Sequence, residues 1–130
     1  MKVLVTGGAG FIGSNVAAEL LARGHEVTVL DDLSTGCAAN LDGLRVRFVR
    51  GDIRDAAAVD AAMRGQEGVC HLAASVGNRR SIEDPQFDAS VNVLGTTRVL
   101  EAMRRAGVGR IVYSSSAGIF GEPQREPVDE

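Results

Sequence analysis

Lysine is almost absent from this chain, and so is tyrosine. Lys2 is the only lysine beside thirteen arginines, and Tyr113 is the only tyrosine. A catalytic Tyr–Lys pair on one helix therefore cannot come from these 130 residues. Cysteine is sparse: Cys37 and Cys70 stand apart, with no Cys-x-x-Cys and no histidine at ligand spacing. That spacing argues against a disulfide framework or a zinc site. Cys70 lies in the apolar run Val69–Ala74 and reads as a small buried hydrophobe. No apolar run approaches the ~20 residues of a membrane span. Val3-Leu4-Val5 is too short for the core of a signal peptide, and Thr6-Gly7-Gly8 ends it. The expected location is the cytoplasm. There is no basic run, and the net charge is −3. Nucleic acid and anionic membrane are poor partners for such a surface.

What is present is a foldable core: 45% of the residues are hydrophobic and 24% charged. The length supports one domain, residues 1–130, with no room for a second. Short apolar runs alternate with helical stretches. Strands are expected at Lys2–Thr6, Glu26–Asp31, Arg45–Arg50, Gly68–Ala73 and Arg110–Ser115. Arg45–Arg50 alternates charge with Val46 and Phe48, as an edge strand does. Helices are expected at Phe11–Arg23, stopped by Gly24, and from Asp55 as cap to Arg64, stopped by Gly65. A long helix is expected from Pro85 to Ala106, stopped by Gly107. Leu33–Leu44 reads as loop with a short helical turn, and Gly118–Glu130 as loop. Five β units joined by helices imply a parallel sheet, and right-handed crossovers favour the doubly wound Rossmann order 3-2-1-4-5.

The strongest motif is Thr6-Gly7-Gly8-Ala9-Gly10-Phe11-Ile12-Gly13, directly after a strand and opening a helix. A pyrophosphate needs bare backbone N–H groups at the positive end of a helix, and glycine lets the backbone approach. Gly7, Gly10 and Gly13 carry that reading. No Gly-Lys-Ser/Thr follows, which argues against a nucleotide-hydrolysing loop. Strand 2 ends in Asp31-Asp32. An acid there accepts from both ribose hydroxyls and repels a 2′-phosphate. Asp31 is the first choice and Asp32 the second, with turn capping as the alternative for Asp32. No arginine lies in Leu33–Gly43, so NAD is expected over NADP. Asp52 after strand 3 can accept from an adenine amine while Ile53 packs on the ring.

Six motifs in order then resemble one family. Val3–Ser14, Asp31–Gly36, Gly51–Asp55, His71–Ala74, Asn92–Thr96 and Ser114–Ala117 are similar to the extended short-chain dehydrogenase/reductases, NAD-dependent sugar-nucleotide epimerases and dehydratases. The resemblance spans nearly the whole chain and is closest to the UDP-glucose 4-epimerase-like members, as their amino-terminal part. It implies NAD held by Gly7, Gly10, Phe11, Ile12 and Gly13. Asp31, Asp32, Ser34, Thr35 and Gly36 would serve the adenosine ribose, and Asp52 and Ile53 the adenine. Leu72, Ala73 and Ala74 would lie beside the nicotinamide, and Asn92 would order the pocket. Ser116 matches the catalytic serine. The implied reaction is UDP-hexose C4 epimerisation by transient hydride transfer, on a nucleotide-sugar substrate. The related 4,6-dehydratases carry Thr-Asp-Glu after strand 5. Here Ser116-Ala117-Gly118 supplies no acid before Glu122. Phe120 stands where the family commonly has tyrosine.

The family's Tyr-x-x-x-Lys pair is missing: Tyr113 is followed four residues later by Ala117. The chain is expected to be an amino-terminal piece, binding NAD without turnover, with the later strands and substrate domain beyond Glu130. Strand 5 would then expose Ile111 and Val112 and favour a homodimer or swapped assembly. Two alternatives stay open: a non-catalytic nucleotide-binding or redox-sensing module, and a dehydratase, decarboxylase or reductase of the same family. A methyltransferase using S-adenosylmethionine is disfavoured, because Ser114–Ser116 would have no role. His25 reads as solvated and His71 as a packed strand residue. Arg79-Arg80 reads equally as phosphate contact or loop charge, and Glu101, Arg104 and Arg105 as an exposed helix face.

Overall fold

A computed structural model describes residues 1–116 together with Gly118 and Gly121. The expectations at Ala117, Phe120, Glu122 and most of the segment 118–130 lie outside the described residues. The elements in chain order are β1 (Lys2–Thr6), α1 (Phe11–Ala22), β2 (Glu26–Asp31), a 3₁₀ turn (Ala38–Leu41), β3 (Arg47–Arg50), α2 (Ala56–Met63) and β4 (Gly68–His71). Then come α3 (Asn78–Glu83), α4 (Pro85–Ala89), a π-helical stretch (Ser90–Gly95), α5 (Thr96–Ala106) and β5 (Ile111–Tyr113). The five strands form one parallel sheet in the order β3-β2-β1-β4-β5, as expected.

Successive strand residues point to opposite faces, so the central strands feed two cores. Leu4 and Leu30 join Val59, Met63, Val99 and Met103 beneath α2 and α5. Val5, Val27 and Val29 join Ala9 and Ala17 beneath α1, with Leu41 of the 3₁₀ turn at the rim. A near-continuous apolar run is what a strand covered on both sides requires. On α5 the buried stripe is Val99, Ala102 and Met103, at helical spacing. Gly107, with φ 70°, ends it. Its N–H reaches Arg104 O, and the N–H of buried Val108 reaches Met103 O. Gly24, at φ 78°, ends α1 in the same way, with His25 N donating to Leu20 O. Asp55 caps α2 by accepting from Ala57 N at 2.9 Å. Glu101, Arg104 and Arg105 form exposed ion pairs among themselves and with Asp60. Free, half-buried Cys70 packs beneath α1, and burial pushes its thiol pKa up.

Three expectations need correction. The strand ends are shorter: β3 starts at Arg47, β4 stops at His71 and β5 at Tyr113. The stretch 78–83 is helical, although it carries no apolar stripe. It is bounded by Gly77 at φ 107° and by Asp84, with an Arg79–Glu83 pair along its outside. The expected helix from Pro85 to Ala106 is helical throughout, but its middle, Ser90–Gly95, is a π-helical turn rather than an α-helical one. There Gly95 lies so close to Ile53 that a Cβ would come within 2.6 Å of its Cδ1. The wider turn fits this contact and aims Asn92 at the loop after β4. Both sheet edges are lightly covered: Phe48 on β3, and Ile111, Val112 and Tyr113 on β5, are exposed.

Leu30 is fully buried and Leu100 is half exposed. Leu30→Ala is expected to cost about 3 kcal/mol by cavity formation, and Leu100→Ala under about 0.5 kcal/mol, read as the difference in urea-unfolding free energy.

Candidate functional site

One cleft of about 430 Å³ opens at the carboxyl ends of the strands, where the order reverses between β1 and β4. Open α/β sheets bind their ligands at this switch point. The β1–α1 turn forms its floor. Gly7 has φ 69°, and a Cβ there would sit 2.8 Å from Ala73 N. A Cβ on Gly13 would drive into the Gly7 carbonyl and lie 2.7 Å from Gly8 Cα. Any side chain at either position would part the turn from β4 or from α1. The amino end of α1 is capped by Gly10 with no side-chain hydrogen bond and no acid in the first turn. Its amides are left for an anion, which the helix dipole also favours. Phe11 and Ile12 are largely exposed and line the cleft beside that end.

Asp31, at the tip of β2, is buried. Its Oδ2 accepts from Ala9 N at 2.9 Å and its Oδ1 from Leu33 N at 2.8 Å. The carboxylate thus ties the glycine turn to β2 and keeps further acceptor capacity, since a carboxylate has about four such positions. Asp32 is exposed, and its Oδ1 accepts from Ser34 N at 2.9 Å, the turn-capping role held open for it. Gly36 packs against the Ala9 backbone. Asn40 Nδ2 and Cys37 N both donate to Ala9 O, which fixes the loop carrying Ser34, Thr35 and Gly36 at the cleft wall.

Asp52 and Ile53 line the outer end of the cleft. Arg54 holds Asp52: its Nη2 donates to Oδ2 at 2.6 Å, its Nε at 2.9 Å, and its backbone N–H donates to Oδ1 at 2.7 Å. These bonds hold the Asp52 carboxyl below the usual carboxylate range. At the opposite end, Asn92 clamps the chain after β4. Its Oδ1 accepts from Ser75 N at 2.8 Å and its Nδ2 donates to Ser75 O at 2.9 Å. A partly buried amide that satisfies both backbone groups of one residue fixes that residue's path. Leu72, Ala73 and Ala74 are thereby presented along the cleft wall.

His71, a packed strand residue as expected, connects the two halves. Thr6 Oγ1 accepts from Leu72 N and Ala73 N, each at 3.2 Å. The Leu72 N–H is shared with the Thr6 carbonyl oxygen, also at 3.2 Å. The hydroxyl meets His71 Nδ1 at 2.7 Å, and His71 Nε2 meets Thr96 Oγ1 at 3.0 Å. With backbone N–H groups already on its oxygen, the hydroxyl is assigned as donor to Nδ1, which places the ring proton on Nε2. Tyr113 stacks on the same ring, with centroids 5.7 Å apart. Burial pushes the His71 pKa down.

Every residue expected to contact a cofactor, from Gly7 through Asn92, lines this one cleft. Ser114 and Ser115 line it too. Ser116 is not among its lining, and its Oγ accepts from Gly118 N at 3.1 Å. Of the arginine pair, Arg80 lines the cleft, while Arg79 turns outward to Glu83. Sequence reasoning missed Arg54, Ser75, Phe87 and Thr96. Phe87 and Thr96 lie in the expected long helix and Arg54 in a motif of the family, yet their partners are distant in sequence; only the short spacing Asp52-x-Arg54 could have hinted at a pair. Ser75 Oγ is buried and has no partner among the described residues.

A parallel sheet of this order, with a glycine turn at its switch and an acid at the tip of β2, is a dinucleotide-binding fold of the doubly wound class. The chain belongs to the NAD dependent epimerase/dehydratase family, whose model matches residues 3–130. It is 47% identical over 141 residues to the UDP-glucose 4-epimerase of Mycolicibacterium smegmatis, a match covering 100% of this chain and 44% of that protein. The solved UDP-glucose 4-epimerase of Thermus thermophilus, a complex with NAD, superposes with a TM-score of 0.91 at 48% identity, covering 100% of this chain and 43% of that one. The enzyme from Stenotrophomonas maltophila, with bound NAD and formylated UDP-arabinopyranose, gives 0.91 at 38% identity, covering 98% and 40%. This chain therefore spans less than half the length of these relatives.

Protonating His71 would set an N–H against the Thr6 hydroxyl proton. Above about pH 6.5 the imidazole is neutral folded and unfolded, and contributes no pH dependence. Below it, the unfolded chain takes up a proton that the folded chain refuses. Stability is then expected to fall, by at most about 1.4 kcal/mol per pH unit from this group. Urea unfolding between pH 8 and pH 5 measures the slope, and His71→Gln is expected to remove that part of it.

Proposed function

We propose that residues 1–130 are a NAD-binding domain, and that the cleft holds the cofactor as in a UDP-hexose 4-epimerase-like enzyme. The observation that carries this reading is the convergence of separate segments on one cleft. The glycine turn, Asp31, the Ser34–Gly36 loop, Asp52-Ile53, Leu72–Ala74 and Asn92 all line it. The close backbone approach at Gly7 and Gly13 brings uncapped amides to the cleft floor. Such a floor fits a diphosphate. Asp31 is buried at the tip of β2. An acid there fits a ribose with two free hydroxyls and opposes a 2′-phosphate.

In this reading the adenosine lies toward β2 and β3, and the nicotinamide toward Leu72–Ala74. When bound, NAD supplies reversible acceptance of a hydride from a sugar carbon. The nucleotide-sugar substrate would approach over the β4–β5 side, where Arg80, Ser114 and Ser115 line the cleft. Ser116 is proposed as the catalytic serine of the family, assisting proton transfer at the sugar hydroxyl. The sequence holds no Tyr-x-x-x-Lys pair. These 130 residues alone are accordingly proposed to bind NAD without turnover. A cytoplasmic location and a homodimer complete the proposal. The dimer is supported by the exposed Ile111, Val112 and Tyr113 on β5.

Isothermal titration with NAD⁺, NADP⁺ and S-adenosylmethionine tests the reading. NAD⁺ is expected to bind, S-adenosylmethionine to give no heat, and NADP⁺ to bind at least about tenfold more weakly, since like charges would meet at Asp31. Asp31→Asn is expected to narrow that preference. Absence of heat with NAD⁺ overturns the assignment. In sedimentation velocity, a dimer is expected at high protein concentration, and a clean monomer there counts against the homodimer.

A further inference from the structure

Ser75 lines the cleft directly after the Leu72–Ala74 wall, yet it is only 8% exposed. Both of its backbone groups are taken. Its N–H donates to Asn92 Oδ1 at 2.8 Å, and its carbonyl accepts from Asn92 Nδ2 at 2.9 Å. The same Nδ2 also donates to Asp88 Oδ2 at 3.2 Å, so the clamping amide is itself held in one orientation. The hydroxyl alone is unused: Oγ is buried and has no partner among the described residues. Asp31 and His71, the other buried polar side chains that line the cleft, both have partners. A buried hydroxyl without a partner destabilises the fold that keeps it.

We propose that Ser75 is a cofactor-contact residue: its hydroxyl stays unpaired in the free protein and pairs with a polar group on the nicotinamide riboside half of a bound dinucleotide. With the backbone clamped on both sides, the freedom left is rotation about Cα–Cβ between staggered positions. That rotation turns Oγ toward the cleft that the residue lines. A hydroxyl both donates and accepts, so it suits a ribose hydroxyl and a carboxamide alike. The penalty of the unpaired group is present in the free protein and removed in the complex, which favours the bound state. This inference deepens the proposed function and rests on the nicotinamide lying toward Leu72–Ala74.

The probes are NAD⁺, ADP-ribose and ADP, titrated calorimetrically into the wild type and Ser75→Ala, with urea unfolding of each free protein alongside. Ser75→Ala is expected to weaken NAD⁺ by about threefold to tenfold, the size of a hydrogen bond between neutral groups. ADP, which ends before the second ribose, is expected to change by less than about twofold. ADP-ribose locates the partner: a loss matching that of NAD⁺ assigns it to the ribose, and no loss assigns it to the carboxamide. The free variant is expected to unfold at a urea midpoint equal to or above that of the wild type, because the alanine removes an unpaired group. A hydroxyl with a structural partner would lower that midpoint. Ser75→Cys, of similar shape with a weaker donor, is expected to lie between the two in NAD⁺ affinity, and it carries the test if Ser75→Ala does not fold. Undiminished NAD⁺ affinity, an equal loss with ADP, or a lowered midpoint overturns the inference and leaves NAD binding standing. A wild type that does not bind NAD⁺ overturns the proposed function and this inference with it.

Discussion

The structure depends on one close approach, that of the β1–α1 turn to the backbone leaving β4. Gly7 lies where a Cβ would meet Ala73 N, and Gly13 where it would meet the turn itself. Backbone-to-backbone contact at this range leaves no room for side chains. The hydrogen bonds around it must therefore come from groups reaching in from either side. Asp31 supplies them from β2, through Ala9 N. Thr6 supplies them toward β4, through Leu72 N and Ala73 N. With those bonds made, the uncapped amides of α1 face the cleft rather than protein. A surface suited to an anion results from the packing without any basic residue at the turn.

The parts of the fold that follow from local periodicity were legible from the chain itself. Lys2–Thr6 and Glu26–Asp31 are continuous apolar runs between turn residues, and both strands end where expected. Phe11–Ala22 turns Val16, Ala17, Leu20 and Leu21 to the core and has its glycine stop, while Ile12, one turn before Val16, is largely exposed. What was not legible is set by contacts distant in sequence. The π-helical stretch at Ser90–Gly95 answers the proximity of Ile53, which lies far earlier in the chain. Thr97 Oγ1 also bonds Val93 O. A β-branched hydroxyl does this when it turns back on its helix. No count of apolar residues at three and four steps registers such a wider turn. The helix at 78–83 likewise has Ile82 as its one large apolar residue, so periodicity is silent about it.

The site follows the same division. That Gly7, Gly10, Gly13, Asp31 and Asp52 meet at one cleft was foreseeable, because each was expected at the carboxyl end of a strand or at the start of the helix that follows it. The roles of their supports were not. Asn92 was expected to order the pocket; its hold on both backbone groups of Ser75 lies in the π turn, which periodicity did not register. His71 reads as a strand residue, yet its tautomer is assigned from the hydrogen bonds at Thr6 and could not be assigned from sequence. Arg54, inside the Gly51–Asp55 motif, was given no role of its own, and its guanidinium lies between Asp52, Phe87 and Ser90.

These supports share a logic that bears on how the cleft stays ordered. Its two walls rise from opposite sides of the switch point, and a crevice between unconnected walls could open by sliding. Two connections oppose that motion. On the inner side, Thr6–His71–Thr96 joins β1, β4 and α5 through a neutral imidazole. On the outer side, Asp52–Arg54–Ser90 joins the turn after β3 to the segment that also carries Asn92. The segment from Phe87 to Thr96 is thus attached at both ends of the cleft, and through Asn92 at its middle. A regular α-helix presents one face at fixed steps of about 100° and could not direct Ser90, Asn92 and Thr96 to three different partners as readily. The wider turn between them relaxes that constraint. The departure from α-helical geometry is therefore part of what sets the separation of the two walls, and it lies beside the candidate cleft, as π turns frequently do at functional sites.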